Sequence, residues 1–474
     1  MIADLKPYPA MKDSGVPWLG DVPEHWEVRR AKFLMREVDE RSTTGEEELM
    51  SVSHKTGVTS RRQKSVTMFL AESNVGHKVC RPGDVVVNTM WAWMAALGVS
   101  KQTGIVSPSY GVYRLRRPDQ FLQSFLDELL RIPMYRSEYV IRSTGITGSR
   151  LRLYPDAFLR IPMLRPEIAE QSGIIRFLDH ADRRIRRYVR AKQKLIKLLE
   201  EQKQAIIHRA VTRGLGPNVR LKRSGVAWLG DVPEHWQIAE LVRLTTRIGD
   251  GLHGTPEYVD ESEYHFINGN NLSGGAIRIT PSTRCVSEVE FERYNIALDD
   301  STVLMSINGT IGNVAFYRGE SLVLGKSAAY IKCSKSLARS FLFFFLQSSS
   351  AREFFQLELT GTTIFNLSLA SIRNLLVALP PLTEQIEISC FLDNKMTEFD
   401  DLINRAQREI SLLRQYRIRL IADVVTGKLD VREAAARLPE EVEGPEPLGE
   451  ADALSDVEED TADDLDEAPE EAEA

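Results

Sequence analysis

One segment of this sequence occurs twice, and that repeat constrains the fold more than any other feature. Residues 14–28 read SGVPWLGDVPEHWEV and residues 224–238 read SGVAWLGDVPEHWQI, identical at 12 of 15 positions and 210 residues apart. A second pair, PEIAEQSGIIRFLD at 166–179 and PPLTEQIEISCFLD at 380–393, shares its proline, Glu-Gln and Phe-Leu-Asp positions. A period above 200 residues is too long for a solenoid, so the repeat indicates two whole domains, each followed by the same connector.

The repeat divides the chain into a duplicated frame and two unlike inserts. The inserts, roughly 30–144 and 240–360, show little resemblance to each other, and both mix strand-like runs, helical runs and glycine-rich loops. That texture is typical of α+β domains. We therefore predict an α+β fold with a pseudo-twofold internal repeat: a first domain at 1–165, a long helix at 166–215, a second domain at 216–379, a second long helix at 380–432 and an acidic tail at 433–474.

Each connector is predicted to be a long helix with one apolar seam. Proline marks each start and Gly214 and Gly427 mark the ends, as expected for helix termini. Apolar residues recur at steps of four and three over about five heptads, which is typical of helices that pack along their length. Because one such helix alone would expose its seam, the two are predicted to pair as an antiparallel coiled coil; a helix pair inside a larger bundle is the alternative. The predicted seam residues are Ile174, Leu178, Ile185, Leu195, Leu199, Ile206, Ile388, Leu392, Phe399, Leu402, Leu413 and Leu420.

The two predicted helices carry opposite charges. The first has a run of basic residues, and the matching stretch of the second has four acidic residues, Glu398, Asp400, Asp401 and Glu409. One interpretation is a solvated face whose unlike charges direct pairing. The other is contact with the phosphates of a duplex; both stay open at this point. The basic residues are Arg183, Arg184, Arg186, Arg187, Arg190, Lys192, Lys194 and Lys197.

The net charge of −7 hides a basic body. Residues 438–474 contain 17 Asp and Glu and no Lys or Arg, which leaves 60 basic against 50 acidic residues in the first 437. A body of net positive charge can approach a polyanion. The tail is low in aromatic residues and is predicted to be disordered. It is expected to aid solubility, and competition with DNA for the basic surface is the alternative.

The spacing of the cysteines and the hydropathy of the sequence indicate the cellular compartment. Cys80, Cys285, Cys333 and Cys390 stand far apart without a C-x-x-C, and no apolar run exceeds eight residues, whereas a membrane span needs about 20. The N-terminal residues lack the apolar core of a secretory signal. We expect a protein of the reducing cytoplasm with no disulfide scaffold.

Polar loops in the inserts resemble those used for DNA readout. Arg and Lys suit guanine, Asn suits adenine, and backbone N–H groups suit phosphate, although Asn, Gly, Ser and Thr also occur in ordinary surface turns. The candidate DNA-binding residues are Lys55, Arg61, Arg62, Lys64, Trp91, Ser109, Tyr110, Thr147, Ser149, Arg150, His253, Thr255, Asn268, Asn270, Asn271, Asn308, Thr310, Lys326, Ser327, Thr362, Thr363 and Asn366.

No convincing catalytic motif accompanies these loops. GDGLHG at 249–254 matches G-x-G-x-x-G by letter, but Pro256 follows at once and no helical pattern opens there, so we predict a turn rather than a dinucleotide site. The chain has no [DN]-P-P-[FYW] motif of amino-methyltransferases. His25 and His235 lie inside the repeated frame, where a duplicated structural role is the simpler interpretation. We predict no catalytic residue and no metal site.

The chain resembles the specificity (S) subunit of a type I restriction-modification system. The resemblance rests on the two copies of WLGDVPEHW and the two copies of P-x-x-x-EQ-x-x-x-x-x-FLD. The resemblance covers about 1–432 and leaves out the tail. It implies two target recognition domains, each recognising one half of a bipartite DNA sequence, and two helices that fix the gap between the halves. It also implies that the chain itself is non-catalytic.

The resemblance further implies the partners. Two modification subunits would bind S-adenosylmethionine and methylate adenine, and restriction subunits would use ATP, with Mg expected there, to translocate and cleave double-stranded DNA; no cofactor is expected in this chain. Two other classes of function stay open on the residues alone. One is a protein-binding scaffold with two similar modules and no base readout, and the other is a single-chain enzyme, which the missing cofactor loops disfavour.

Overall fold

The computed structural model describes residues 5–63, 73–145, 151–361 and 365–439. The chain forms two compact units. Unit 1 comprises residues 1–187 together with 413–474, and unit 2 comprises residues 188–412. Unit 1 is therefore built from two stretches that are far apart in sequence, whereas unit 2 is continuous.

Unit 1 is a mixed domain of short strands and short helices that leads into a long helix. Its strands are β1 (Met11–Asp13), β2 (Asp21–Pro23), β3 (Glu27–Arg30), β4 (Met35–Glu37), β5 (Met50–Ser53), β6 (Gly57–Ser60), β7 (Lys78–Cys80), β8 (Val85–Val87), β9 (Leu97–Val99), β10 (Gly104–Val106), β11 (Gly111–Leu115) and β12 (Pro162–Arg165). Its helices are α1 (Ala31–Leu34), α2 (Gln123–Arg131), α3 (Pro133–Arg142), α4 (Pro155–Leu159) and the first part of α5 (Ile168–Arg213).

A four-stranded antiparallel sheet in the order β4-β11-β8-β9 is the centre of unit 1. The repeated WLGDVPEHW motif supplies β2, which pairs with β1, and leads into β3, which pairs antiparallel with β12. Because β12 ends at Arg165, directly before α5, this pairing joins the two repeated motifs of the sequence. The core includes the fully buried Trp26, Phe125, Tyr135 and Phe158.

Unit 2 has its own series of elements. Its strands are β13 (Leu221–Arg223), β14 (Asp231–Pro233), β15 (Gln237–Glu240), β16 (Thr245–Asp250), β17 (Tyr258–Val259), β18 (His265–Ile267), β19 (Leu272–Ser273), β20 (Ala276–Ile277), β21 (Cys285–Val286), β22 (Thr302–Ser306), β23 (Val314–Phe316), β24 (Leu322–Leu324), β25 (Ala328–Cys333) and β26 (Leu376–Leu379). Its helices are α6 (Glu288–Tyr294), α7 (Arg339–Gln347), α8 (Ser349–Glu358), α9 (Leu369–Asn374) and most of α10 (Leu382–Val425). In unit 1, the short helix α11 (Arg432–Ala436) follows α10.

The central sheets of the two units have the same topology although their sequences differ. The order in unit 2 is β16-β25-β22-β23, again antiparallel throughout, and β15 pairs with β26 as β3 pairs with β12. Two helices, α7 and α8, follow the sheet as α2 and α3 do in unit 1. Unit 2 adds a second four-stranded sheet, β17-β21-β18-β24, whose β18 and β24 are parallel. The pseudo-repeat therefore extends into the inserts, where the sequence does not display it.

The predicted local elements agree with these bounds. Strands expected at 84–87 and 302–305 correspond to β8 and β22, and helices expected at 121–130 and 337–346 correspond to α2 and α7. The first long helix, expected at 166–215, is α5. The second was expected to reach 432, but α10 ends at Val425, because Gly427 takes a positive φ of 74° that terminates the helix.

Helices α5 and α10 pack together inside each unit. In unit 1, Leu420 and Val424 of α10 join the core with Ile174 and Leu178 of α5. In unit 2, Ala210 and Val211 of α5 join the core with Ile388 and Leu392 of α10. In unit 2, Lys192 Nζ lies 2.6 Å from Glu409 Oε2 and Lys203 Nζ lies 2.5 Å from Asp400 Oδ1. In these two ion pairs the residue number on α10 decreases as the residue number on α5 increases, so the two helices run antiparallel in this contact.

Ten of the predicted seam residues are buried or half-buried, and two are not. Leu195 is 41% exposed and Leu402 is 51% exposed. Their positions in the contact are taken by the next residue, Ile196, which is half-buried, and Ile403, which is 9% exposed. The prediction was therefore one residue out of phase at Leu195 and Leu402. Between Met396 and Val424, the α10 positions covered by the contact recur at steps of three and four. They are 396, 399, 403, 406, 410, 413, 417, 420 and 424.

The tail begins later than predicted. Residues 433–436 belong to α11, and Leu438 is only 6% exposed. Ala435 lies beside Gly173 of α5, where an added Cβ would come within 3.8 Å of the alanine side chain. The part of unit 1 that packs against the start of α5 thus includes residues up to 438, whereas the predicted tail began at 433.

Candidate DNA interface

The repeated motifs meet through one carboxylate in each unit. In unit 2, Glu384 Oε2 lies 2.9 Å from His235 Nε2, and Glu384 Oε1 accepts a hydrogen bond from Trp236 Nε1 at 3.1 Å. In unit 1, Glu170 Oε2 lies 2.8 Å from His25 Nε2, and Glu170 Oε1 accepts one from the Tyr8 hydroxyl at 2.7 Å. The histidines therefore tie each domain to the start of its own long helix.

The glutamine next to each of these glutamates is buried and bonded on three sides. Gln385 Oε1 accepts from the Ala338 backbone N–H at 2.8 Å, and its Nε2 donates to the carbonyls of Ser336 and Pro380 at 3.0 and 2.9 Å. Gln171 makes the same three contacts, with the Leu122 N–H and the carbonyls of Gln120 and Pro166, at 2.8, 3.0 and 2.9 Å. Each glutamine thereby joins the chain before α2 or α7 to the first turn of the long helix, so the domain is held against that turn.

The two networks differ at one residue. Tyr8 has no counterpart in the second copy, where Asn218 stands 210 residues later, and the indole Nε1 of Trp26 is buried without a partner. Burial, followed by the hydrogen bond to Glu170, raises the pKa of Tyr8 far above its usual value, so the phenol stays protonated and donates. Tyr8 thus takes the carboxylate oxygen that Trp236 takes in unit 2.

In unit 1, two candidate loops and the segment around Leu153 meet beyond one end of the central sheet. The turn after β8 contacts the turn before β11, because Thr89 Oγ1 donates to the Ser109 carbonyl at 2.9 Å and Asn88 Nδ2 donates to the Tyr110 hydroxyl at 2.9 Å. The Leu153 N–H donates to the Thr89 carbonyl at 2.9 Å, so the segment around Leu153 lies beside the turn after β8. In the same turn, the half-buried Trp91 stacks on Trp93 with ring centroids 5.8 Å apart. Stacked aromatic and hydroxyl groups therefore face the outside at this end.

The basic candidates of unit 1 that the structure describes, Lys55, Arg61 and Arg62, lie at the turn of the β5–β6 hairpin or directly after it. Lys55 is at its turn, where the Lys55 and His54 carbonyls accept hydrogen bonds from Arg131 of α2. Arg61 and Arg62 follow β6, and the Arg62 side chain is 87% exposed with Nε 3.4 Å from Glu48 Oε2. An exposed surface ion pair of this kind is weak, so the Arg62 guanidinium remains accessible to a stronger anion.

In unit 2 the candidate loops also converge beyond one end of the sheet. Asn308 pairs with Asn366 as an isolated bridge, and the Ile307 N–H bonds the Ser327 carbonyl at 2.9 Å. The Ser327 hydroxyl donates to Asn268 Oδ1 at 3.0 Å. Thr310 is exposed in the turn after β22. Four loops that are far apart in the sequence thus supply neighbouring amides and hydroxyls.

The loop containing His253 joins this group by close backbone approach. The Lys326 N–H bonds the Leu252 carbonyl at 3.0 Å, and a Cβ at Gly251 would lie 2.1 Å from the Leu324 carbonyl oxygen. Only glycine fits there. His253 is exposed, with Nε2 2.7 Å from Asp250 Oδ2, and so are Thr255 on the same loop and Lys326, whose backbone contacts Leu252. The G-x-G-x-x-G letters cover the end of β16 and the loop after it, and a strand, β17, follows rather than a helix, so the helix that a dinucleotide site needs is missing at this loop.

A polar cleft of about 250 Å³ lies beside Asn268 in unit 2. Asn270 is exposed at its edge, whereas Asn271 is used internally, accepting from the Asn268 N–H at 3.0 Å and donating to the Arg278 carbonyl at 3.1 Å. The Arg284 guanidinium lies 4.5 Å from the Tyr258 ring centroid. The lining residues are Phe266, Asn268, Asn270, Asn271, Arg278, Thr280, Ser282, Thr283 and Arg284. Guanidinium, amide and hydroxyl donors in one cleft can bind a phosphate or a base edge.

Sequence reasoning missed six of these nine lining residues: Phe266 and five residues with hydrogen-bonding side chains. Arg278, Thr280, Ser282, Thr283 and Arg284 fall in the run RITPSTR at 278–284, which combines basic and hydroxyl side chains. That combination is the signal that could have identified them. The candidates Lys64, Thr147, Ser149, Arg150, Thr362 and Thr363 lie outside the described residues.

Two absences hold within residues 5–63, 73–145, 151–361 and 365–439. No group of three or more His, Cys, Asp and Glu side chains is placed there to hold a metal ion. No helix there is both long enough and apolar enough to cross a membrane.

Comparison with known proteins identifies what the chain is similar to. Residues 255–412 match the family model of the type I restriction modification DNA specificity domain. The type I restriction enzyme EcoKI specificity subunit of Escherichia coli (strain K12) is 25% identical over 217 residues, which cover 42% of this chain and 44% of that protein. The chain spans about half the length of the curated relatives it matches, between 44% and 62%.

Solved structures share the fold. A chain solved in work on the structural basis of complex assembly and conformational transition of the type I R-M system has a TM-score of 0.63 and 17% identity, covering 86% of this chain and 99% of that one. The HsdS subunit from Thermoanaerobacter tengcongensis has a TM-score of 0.50 and 18% identity, covering 86% and 98%. The α+β fold class is confirmed, and so is the predicted resemblance to specificity subunits of type I restriction-modification systems.

Proposed function

We propose that this chain is the sequence-specific DNA-binding subunit of a type I restriction-modification enzyme, directing modification and restriction subunits to a bipartite target without performing a reaction itself. One observation carries the proposal. The same frame, including the His–Glu contact and the three hydrogen bonds of the buried glutamine, holds two domains whose exposed loops are chemically unlike. A duplicated frame with diverged loops is expected when each copy recognises a different half of an asymmetric sequence.

The loop chemistry supports different targets for the two units. Unit 1 presents Trp91, Ser109 and Tyr110 around the turn after β8, and unit 2 presents Asn268, Asn270 and two arginines around its cleft. Amide and guanidinium groups discriminate between bases by paired hydrogen bonds worth about 1–3 kcal/mol each. Contacts to phosphates add affinity, which decreases as the salt concentration rises, and they fix the position of the protein on the duplex.

The proposal assigns a role to each segment. Residues 1–165 and 216–379 are the two target recognition domains, and 166–215 and 380–432 contain the spacer helices, which pair as an antiparallel coiled coil. The heptad steps along α10 and the Lys192–Glu409 and Lys203–Asp400 ion pairs support that pairing. Two linked domains bind far more tightly than either alone when the spacing of the half-sites matches the spacer.

The remaining roles belong to partner proteins. The Escherichia coli relative is named as the specificity subunit of a type I restriction enzyme, and by that likeness this chain would assemble with two modification subunits and with restriction subunits. S-adenosylmethionine would bind to the former, and ATP and Mg to the latter. Methylation of adenine requires the base outside the helical stack, so this step falls to the modification subunits.

Methylome sequencing of a host that expresses the chain with its modification subunits tests the proposal. Replacing residues 30–144 with the insert of another such chain should change one half of a bipartite methylated motif and leave the other half intact, and replacing 240–360 should do the reverse. Methylation that requires no partner would favour an enzyme, and correct assembly without any methylated motif would favour a scaffold. A motif that ignores both exchanges would contradict base readout by these inserts.

A further inference from the structure

One face of α5 in unit 1 carries a line of basic residues. Arg176, His180, Arg183 and Arg187 follow one another at steps of four and three, which places them within about 60° of each other at 100° per residue. The three arginines are exposed and His180 is half-buried. We call these four residues the basic stripe. In the sequence the same steps continue on α5 through Arg190, Lys194 and Lys197.

The basic stripe lies on the side of α5 away from the core. Ile174, Leu178, Ala181 and Ile185 are at most 6% exposed and mark the opposite face. The nearby Asp182 is already engaged, because it forms ion pairs with Arg186 and with Arg417 of α10. Asp179 is the other acidic residue of α5 between Arg176 and Arg187; burial raises its pKa, with Arg183 opposing that rise. Arginine charge therefore dominates this surface.

The stripe belongs to one copy of the repeat only. The equivalent α10 positions, 214 residues later, are Cys390, Asn394, Thr397 and Asp401. A role shared by both copies, such as the frame contacts, would not need charge on one helix alone. The partner of the stripe is therefore expected to be a feature that unit 1 has and unit 2 lacks.

The chain after α11 is such a feature, and it leaves the described fold beside the stripe. Arg176 Nη2 donates hydrogen bonds to the carbonyls of Leu438 and Pro439 at 2.6 and 3.1 Å. The next residues are Glu440, Glu441 and Glu443, and residues 440–474 contain 17 Asp and Glu without any Lys or Arg. An extended chain covers roughly 3.4 Å per residue, and α5 rises about 1.5 Å per residue. About five residues beyond Pro439 thus suffice to reach Arg187.

We propose that residues 440–474 bind in cis along the basic stripe and screen it from other polyanions. Charge complementarity, the point at which the chain leaves the fold and the length that follows all fit this one occupant. Bound there, the acidic segment occupies a site that would otherwise take the phosphates of non-specific duplex DNA. This second consequence rests on the proposed function, whereas the docking itself does not.

Protease sensitivity of the full chain tests the docking. The glutamates after Pro439 are substrates for endoproteinase Glu-C, and a docked segment is cleaved slowly. At low salt, the R183E/R187E variant should release fragments of 440–474 about fivefold faster than the unmodified chain, since two exposed charge pairs are lost and reversed. The difference should vanish on going from about 0.1 M to about 1 M salt, where the screening length falls from about 10 to 3 Å.

The matched control reverses two charges elsewhere in unit 1. Arg30 and Lys32 are exposed on β3 and α1, and the second copy carries Glu240 at the position of Arg30. The R30E/K32E variant should cleave like the unmodified chain. Equal cleavage of all three proteins at low salt, or acceleration by R30E/K32E as large as by R183E/R187E, would overturn the docking. Circular dichroism and a melting curve establish that each variant is folded.

Binding to a duplex of random sequence tests the screening. A chain that ends at Pro439 should bind the random duplex about tenfold more tightly than the full chain at low salt, because the stripe is then open to DNA phosphates. Introducing R183E/R187E into this truncated chain should cancel most of that gain. If docking is observed but truncation leaves binding unchanged, the screening role is wrong while the docking stands. The absence of any methylated motif in a host that expresses the unmodified chain with its modification subunits would instead count against the proposed function.

Discussion

Gln171 and Gln385 hold the domains to the helices with few atoms. Each is fully buried and uses its amide oxygen and nitrogen for three backbone groups that belong to two different segments. A buried backbone group that loses its partner costs about 1–3 kcal/mol. A single glutamine side chain at this position therefore contributes more to the free energy of unfolding than its size suggests.

Replacing Gln385 with leucine should lower the free energy of unfolding of unit 2 by about 3 kcal/mol, because the Ala338 N–H and the Ser336 and Pro380 carbonyls lose their partner without access to water. Gln202→Leu is the matched control, since Gln202 is exposed on α5, and should change stability by less than about 0.5 kcal/mol. Urea denaturation followed by tryptophan fluorescence measures both. Equal midpoints for the two variants would contradict the role given to Gln385.

Asparagines show why the site could be predicted only in part at the residue scale. Asn268, Asn270 and Asn271 were all predicted to bind DNA from the same sequence pattern. Asn268 and Asn271 cap a short helical turn with each other's backbone and side chain, while Asn270 is exposed. The atoms that recognise adenine are the same atoms that stabilise turns. Which use an asparagine serves depends on the fold of its loop, and composition does not specify that.

At the scale of elements, the long helices were the most predictable part of the molecule. The apolar seam, the length of each helix and the charge of its exposed face follow from a pattern that repeats over more than forty residues. The start of α5 was predicted within two residues of its position in the structure. The phase at Leu195 and Leu402 was wrong because two neighbouring apolar residues, such as Leu402 and Ile403, fit the pattern equally well. The sheets of the inserts were harder, since strands of two to six residues with different sequences give no sign that both units share one strand order.

The revised phase of α10 makes a direct prediction. Ile403→Ala should destabilise the helix pair by about 2 kcal/mol, because it removes a buried side chain from the contact. Leu402→Ala is the adjacent control, and at 51% exposure it should cost less than about 0.5 kcal/mol. Thermal unfolding of the two variants under the same conditions decides between the phases. A larger loss for Leu402→Ala would restore the original prediction.

At the scale of the whole molecule, each unit is completed by the far end of the other connector. Leu420, Val424 and α11 close unit 1, and Ile207, Ala210 and Val211 close unit 2. The antiparallel sense explains this exchange, since each helix starts in one unit and finishes in the other. The long internal repeat predicted two domains, but not that the last residues of the fold would belong to the first one.

The spacer role predicts a change in the recognised gap. Seven residues inserted both near Lys194 and near Arg408 keep the heptad phase and add about 10 Å to the pair, which is about three base pairs of duplex. Methylome sequencing should then show both half-sites unchanged and the gap lengthened by about that amount. An insertion in one helix alone is the control, and it should destroy the pairing rather than move the gap. An unchanged gap with both insertions present would refute the spacer role.

The two-part construction of unit 1 also sets an order of events during synthesis. By the time the ribosome has made residue 412, every residue of unit 2 exists and that unit can close. The apolar residues at the beginning of α5, Ile174 and Leu178 among them, must wait more than two hundred residues for Leu420 and Val424. The half of the protein that is translated first is therefore the half that finishes folding last, and a nascent chain stalled before residue 413 leaves it incomplete.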